Sequence, residues 1–297
     1  KNGQVILGGF FLGPEAFYKA LNEMSEEERS QFGMSGVEKV NQLYGDAELR
    51  TLQRKDGRFV NTGMIATLNG SIVSDQLEDG RVVSGIGGQF NFVIMAHAIP
   101  DGKLIMALRA TRGSGKNVKS SIVLSYGHCS VPKYWKDIVV TEYGIAHIRG
   151  LSEEQICQEM IKIADSRFQP ELIAQAKKAG KLDPKWELPE QYRNNYPERV
   201  DSFIKKYQKQ GYFQQFPFGT DVSPEEVVLA GSLRGLVAYK TDKPVKTILK
   251  LLAELLKPVP EKAAPYLKRM DLEKPANFGE RFQQKTVVAA LKLAGRV

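Results

Sequence analysis

Ser84-Gly85-Ile86-Gly87-Gly88-Gln89-Phe90-Asn91-Phe92 places three glycines within four residues, directly after the run Arg81-Val82-Val83. Glycine gives up more backbone entropy on folding than any other residue, so such a cluster marks a strained turn or a close approach of backbone to ligand. The segment reads as a loop leaving a strand, with bare N–H groups free to face an anion or a developing oxyanion. Further along, a second apolar run ends in a carboxylate: Asp137-Ile138-Val139-Val140-Thr141-Glu142-Tyr143-Gly144. A glycine-rich loop and a carboxylate, both at strand exits, point to acyl or phosphate chemistry at the edge of an α/β sheet.

Outward from these two segments, short β-branched runs alternate with glycine-bounded turns from Gln4 to about Gly150. Val5-Ile6-Leu7, Phe59-Val60, Met64 to Leu68, Ser71-Ile72-Val73, Lys103 to Leu108, Ser121 to Leu124 and Ile138-Val139-Val140 read as strands. Asn69-Gly70 is a hairpin signal between two of them, so the sheet is expected to be mixed. Gly13-Pro14-Glu15 opens a helix with proline at its first position, striped by Phe17, Leu21 and Met24. Ser152 with Gln155 forms a capping box ahead of Ile156, Met160 and Ile161, and Pro170-Glu171 starts a helix that ends near Gly180. Residues 182–219 read as a long extended connection. After Ser223-Pro224-Glu225-Glu226 the chain is helical, and Val245, Ile248, Leu249, Leu252 and Leu256 form a stripe expected to cover a core. The fold expected is α/β, a mixed open sheet flanked by helices, with a helical C-terminal tail.

The 297 residues are enough for one large or two small domains. Composition is that of an ordinary globular protein, and no apolar stretch approaches a membrane span, so no membrane partner is expected. The chain begins at Lys1 and reads as a piece of a longer protein, which leaves a targeting segment open. Two cysteines, Cys129 and Cys157, make no disulfide framework and favour a reducing, cytoplasmic setting. A net charge of +8 suits solubility or attraction of a small polyanion. The lysines are dispersed without interleaved aromatics, which argues against nucleic acid.

Individual motifs leave alternatives open. Gly85-x-Gly87-Gly88 is not a dinucleotide fingerprint, because Phe90 stands where glycine is required; it is a tight turn or a ligand-facing loop. Gly113-Ser114-Gly115-Lys116 fails as a P-loop at Ala110 and Asn117, leaving a basic loop in which Arg109, Arg112, Lys116 or Lys119 could touch phosphate. Glu142 is a nucleophile, a base or a substrate-orienting group, or else an ion-paired strand end. Asn61 suits an amide or thioester ligand, or is a turn residue. His128 beside Cys129 permits a nucleophilic pair, whereas buried thiols are mostly inert. No spacing resembles a metal site, so none is expected.

Val82 to Phe92 resembles the glycine-rich segment of the acetyl-CoA hydrolase/transferase family. Ile138 to Gly150 is similar to that family's second signature, and Phe59-Val60-Asn61-Thr62-Gly63 to its asparagine-threonine segment, in matching order. Gly9 to Pro14, Val40 to Gly45 and Phe216 to Asp221 resemble its longer bacterial members. The resemblance covers about Val5 to Leu236, so residues 1–236 are expected to form the C-terminal catalytic half and 237–297 the tail.

The resemblance implies coenzyme A or acyl-CoA as substrate, a small carboxylate as second partner, and an N-terminal half of the same protein carrying a nucleophilic glutamate. It implies a catalytic set of Gly87, Gly88 and Glu142. The glycine N–H groups would hold the thioester oxyanion, and Glu142 would contact the acyl group or the partner carboxylate. Asn61, Gly85 and Gln89 would bind the acyl-CoA. Two departures stand out: Asn91 where the family carries aspartate, and His147 where it carries an acid. The competing readings are an acyl-CoA-binding module without turnover, an enzyme with Glu142 as its nucleophile, and a partner domain whose tail mediates a homodimer.

Overall fold

The computed structural model describes residues 4–214, 216–217 and 219–297, apart from the side chain of Lys250. They form two compact units, Lys1–Phe213 and Gln214–Val297. The boundary expected at residue 236 falls inside one helix, Pro224–Asp242, started by the capping box of Ser223 and Glu226.

In the first unit, β1 (Ile6–Gly8) pairs in parallel with β2 (Phe32–Met34). The helices α1 (Glu15–Glu23), α2 (Glu26–Ser30), α3 (Val37–Asn41) and α4 (Ala47–Gln53) lie between and after these strands. Pro14 is the N-cap of α1 rather than its first residue. The main sheet follows: β3 (Arg58–Thr62), β6 (Lys103–Ala107) and β10 (Ile138–Thr141) run parallel, and β11 (Gly144–His147) returns antiparallel to β10. Their order is β11-β10-β6-β3. A second sheet holds β4 (Ile65–Thr67) between β5 (Ile72–Val73) and β9 (Ile122–Val123), one antiparallel and one parallel to it. The Asn69-Gly70 turn joins β4 to β5, with Gly70 at φ +87°. A small ribbon pairs β7 (Thr111–Arg112) with β8 (Lys119–Ser120).

Helix α5 (Gln89–Ala98) covers β3 and β6. Helix α6 (Glu153–Lys162), capped by Ser152, packs on β11, and α7 (Gln169–Lys178) packs on α6. Val93, Leu104, Met106, Val139, Ile148, Ile156 and Met160 share one core. Burying each such side chain contributes about 1.5–3 kcal/mol. The fold is the expected mixed α/β arrangement, divided among separate small sheets.

Two segments differ from expectation. Arg81-Val82-Val83 is not a strand. It folds back so that Val83 and Ser84 N–H both donate to the Asp75 carbonyl, at 2.8 and 3.2 Å, leaving a single bridge between Gln76 and Val82. Residues 182–219 are not merely extended, because α8 (Pro197–Gln208) lies within them, with proline at its first position. Phe218 of the Phe216 to Asp221 segment lies outside the described residues.

The second unit contains α9 (Pro224–Asp242), α10 (Pro244–Leu255), α11 (Ala264–Arg269) and α12 (Phe278–Leu293) around Leu229, Leu267, Val288 and Leu291. The α10 stripe does not cover this core. Val245, Ile248, Leu249, Leu252 and Leu256 are all exposed, while α10 turns Thr247 and Glu254 inward. On that inward side, buried Glu254 is paired with Lys292 of α12 and with Lys257. Among the described residues no helix is long and apolar enough to cross a membrane.

Candidate functional site

Parallel strands send their carboxyl ends to one edge, where loops gather ligand-binding groups. Here β3, β6 and β10 end at Thr62, Ala107 and Thr141 along such an edge. The glycine loop lies above β3: Gln89, the first residue of α5, donates Nε2–H to the Thr62 carbonyl at 3.0 Å. Phe59 and Phe92 meet below it, ring centroids 6.2 Å apart.

Gly87 sits at φ +54°, a conformation that disfavours ordinary side chains, and the space beside it is open. Gly88 is the N-cap of α5, and no side chain caps the helix. Among the described residues the N–H groups of Gly85, Gly87 and Gly88 have no hydrogen-bond partner. A helix N-terminus with free N–H groups and the positive end of its dipole is an anion site. Asn41, at the end of α3, packs over Gly88: a Cβ built there would lie 2.3 Å from Asn41 Nδ2. Two polar atoms beneath the loop are buried without partners, Asn61 Nδ2 on β3 and Gln89 Oε1 on α5. Buried polar atoms are normally satisfied, so an orphan donor and an orphan acceptor together suit an amide-bearing ligand.

Glu142 occupies the two-residue turn between β10 and β11, two strand spacings from β3, or about 10 Å. Its Oε2 accepts from the Ala110 N–H at 2.8 Å, and the residue is otherwise exposed. The turn is fixed from below. Thr141 Oγ1 donates to the Ile163 carbonyl at 2.7 Å and accepts from Tyr143 N at 3.2 Å. Tyr143 Oη donates to Asp165 Oδ2 at 2.8 Å. Burial pushes the Tyr143 hydroxyl far above its ordinary range, aided by the Asp165 charge. Asp165 is fully buried. Burial opposes its charge, but three hydrogen bonds from Arg167 outweigh it and hold the carboxyl below its ordinary value. A cleft of about 200 Å³ lies between this turn and α8, lined by Glu142, Tyr143, Arg199, Val200 and Phe203.

The structure therefore gathers Asn61, Gly85, Gly87, Gly88 and Gln89 at one end of the edge and Glu142 nearby. The other candidates separate from it. His128 pairs with Asp75 at 3.1 Å, not with Cys129, and Ser130 bonds the same carboxylate. Burial raises both thiols, Cys157 to about 11, opposite to the activation of a nucleophile. His97 is held by the Trp135 carbonyl at 2.9 Å. Arg112 and Lys119 face each other across the β7–β8 ribbon, and Arg109 is exposed just beyond β6. No cluster of metal-ligating side chains exists among the described residues. Sequence reasoning missed Asn41, the Tyr143–Asp165–Arg167 support and the α8 wall. A proline followed by glutamate, with Val200, Phe203 and Tyr207 at helical spacing, was the available signal for α8.

Residues 13–176 match the family described as the acetyl-CoA hydrolase/transferase C-terminal domain. Over 120 residues the chain is 32% identical to a 4-hydroxybutyrate coenzyme A transferase of Clostridium kluyveri, covering 40% of this chain and 28% of that protein. It is 33% identical over 122 residues to a probable butyrate:acetyl-CoA coenzyme A-transferase of Syntrophomonas wolfei, covering 40% of this chain and 27% of the relative. Among solved structures, a point mutant of RipA, a Yersinia pestis protein, superposes with a TM-score of 0.50 and 26% identity, over 59% of this chain and 37% of that one. The chain thus matches less than a third of the length of these curated relatives.

Proposed function

Because this chain belongs to the acetyl-CoA hydrolase/transferase C-terminal domain family, we propose that it forms the acyl-CoA-binding wall of a CoA-transferase active site. The observation that carries this is the uncapped start of α5, where the unpaired N–H groups of Gly87 and Gly88 share one sheet edge with Glu142. The reaction begins when a glutamate carboxylate, supplied by an N-terminal half of the enzyme, attacks the thioester carbonyl. Its oxygen becomes an oxyanion, which the glycine N–H groups hold; one such donor is worth about 3 kcal/mol in the transition state. Collapse expels the CoA thiolate and leaves an acyl-glutamyl anhydride. The thiolate then attacks the glutamyl carbonyl, releasing the acyl group as a free carboxylate and leaving a glutamyl-CoA thioester.

A second carboxylate attacks that thioester and the sequence runs in reverse; water in its place gives hydrolysis. Asn61 and Gln89 bind the CoA arm through their unpaired amide atoms, and Gly85 lets the loop approach it. Glu142 orients the acyl group or the incoming acid. No residue of this chain is assigned as the nucleophile.

Calorimetric titration with acetyl-CoA tests the assignment. Saturable binding, weakened about tenfold or more by Asn61→Ala as expected for a lost buried hydrogen bond, supports it. Absence of acetyl-CoA binding to the folded chain overturns it.

A further inference from the structure

We propose that the cleft between the β10–β11 turn and α8 is a pocket for a short-chain aliphatic carboxylic acid. Arg199 receives the carboxylate, and Val200 and Phe203 receive the alkyl chain. This rests on the proposed acyl-transfer function and assigns to it residues outside the family-matched stretch, 13–176.

The cleft is lined by two charged side chains together with apolar and aromatic ones. Glu142 and Arg199 both line it, and among the described residues neither forms an ion pair. Each is committed to a single hydrogen bond elsewhere. Glu142 Oε2 accepts from Ala110 N, and Arg199 Nη1 donates to the Asn194 carbonyl at 3.2 Å. The Arg199 guanidinium therefore keeps N–H donors beyond the one given to Asn194. A guanidinium with free N–H donors suits a carboxylate. Arg199 also lies in the first turn of α8, where the helix dipole favours an anion. Without that cation, Glu142 would repel the acid it is proposed to orient.

The apolar wall is held in place. The Phe203 ring is 54% exposed. It is backed by Tyr207 and Phe213, with centroids 4.6 and 6.3 Å away. Opposite it, the Tyr143 ring is fixed through its hydroxyl to buried Asp165. An acid entering carboxylate-first would lay its methylenes on Phe203 and Val200. Longer acids then bind more tightly until the cleft is filled.

Ligand-observed NMR with sodium butyrate, propionate and acetate tests this on the intact chain, with acetyl-CoA titrated in parallel. Wild type is expected to bind butyrate saturably and to lose about two- to fourfold in affinity for each methylene removed. Arg199→Gln should weaken all three acids about tenfold or more. Phe203→Ala should flatten the chain-length series while leaving acetate nearly unchanged. Both positions are exposed, and unchanged circular dichroism establishes that the variants fold. Equal butyrate affinity in wild type and Arg199→Gln, or a wild-type series flat in chain length, overturns the pocket. If acetyl-CoA still binds in that case, the acyl-CoA assignment stands and only the pocket falls. If the acids behave as expected and acetyl-CoA does not bind, the pocket stands and the transferase assignment falls.

Discussion

The carboxylate of Glu142 is held by the backbone N–H of Ala110, 2.8 Å away, so the β10–β11 turn is tied to the chain leaving β6. Ala110 is fully buried, and among the described residues its N–H has no other hydrogen-bond partner. Glu142 is thereby a structural acceptor as well as the group proposed to face the substrate.

Glu142→Ala and Glu142→Gln should therefore separate. Alanine leaves a buried N–H unsatisfied and should cost about 1–3 kcal/mol in chemical denaturation. Glutamine keeps an acceptor oxygen and should cost less than about 1 kcal/mol, while removing the charge. Equal losses for the two would show that the Ala110 contact does not hold the turn.

Asp165 sets an acid-side limit. Its carboxyl is held below the ordinary value in the folded chain by Arg167, despite burial. The folded state therefore gains stability above the unfolded carboxyl's pKa and loses it as pH falls through the lower, folded value. Arg167→Ala removes the guanidinium charge and two of the hydrogen bonds that oppose burial, keeping those from its own backbone N–H and from Tyr143 Oη. It should cost roughly 2 kcal/mol near neutrality, less than a fully buried pair because the arginine is partly exposed. Acid unfolding should then begin at higher pH. Acid titrations followed by circular dichroism read both effects, and coincident profiles for the two proteins would contradict them.

The two central glycines should fail differently. Gly87→Ala forces a side chain to φ +54° and should cost about 1–2 kcal/mol of stability. In Gly88→Ala the new methyl clashes with the flexible end of Asn41 and makes an ordinary contact with Phe92, so stability should fall by under about 1 kcal/mol. Acetyl-CoA affinity should drop in both, because the loop or its neighbour must move. Thermal melts and titrations on the same samples check the pairing.

Much of this was legible in the residues. Asn69-Gly70 fixed a hairpin because its φ demands are local, and the capping boxes at Ser152 and Ser223 fixed helix starts for the same reason. Helix α5 was not legible. It is apolar on nearly every side, so no 3.6-residue stripe marks it, and no side chain caps its first turn. Strand β11 was hidden because Glu142-Tyr143 carries none of the usual hairpin-turn residues. The stripe on α10 misled because periodicity reveals an apolar face but not its direction; here the inward side carries Thr247 and the Glu254–Lys292 pair instead. Of the site, the glycine loop, Asn61 and Glu142 were readable from local sequence. Asn41, Asp165 and Arg199 reach it only through tertiary folding, which no short spacing encodes.

The central claim is that this chain binds acyl-CoA at the glycine loop and does not itself supply the nucleophile. The most direct measurement is to saturate it with acetyl-CoA and record its intact mass, with and without borohydride trapping of an enzyme thioester. The account predicts saturable binding and an unmodified mass. A covalent CoA adduct mapping to Glu142 would contradict it and make this chain an enzyme in its own right.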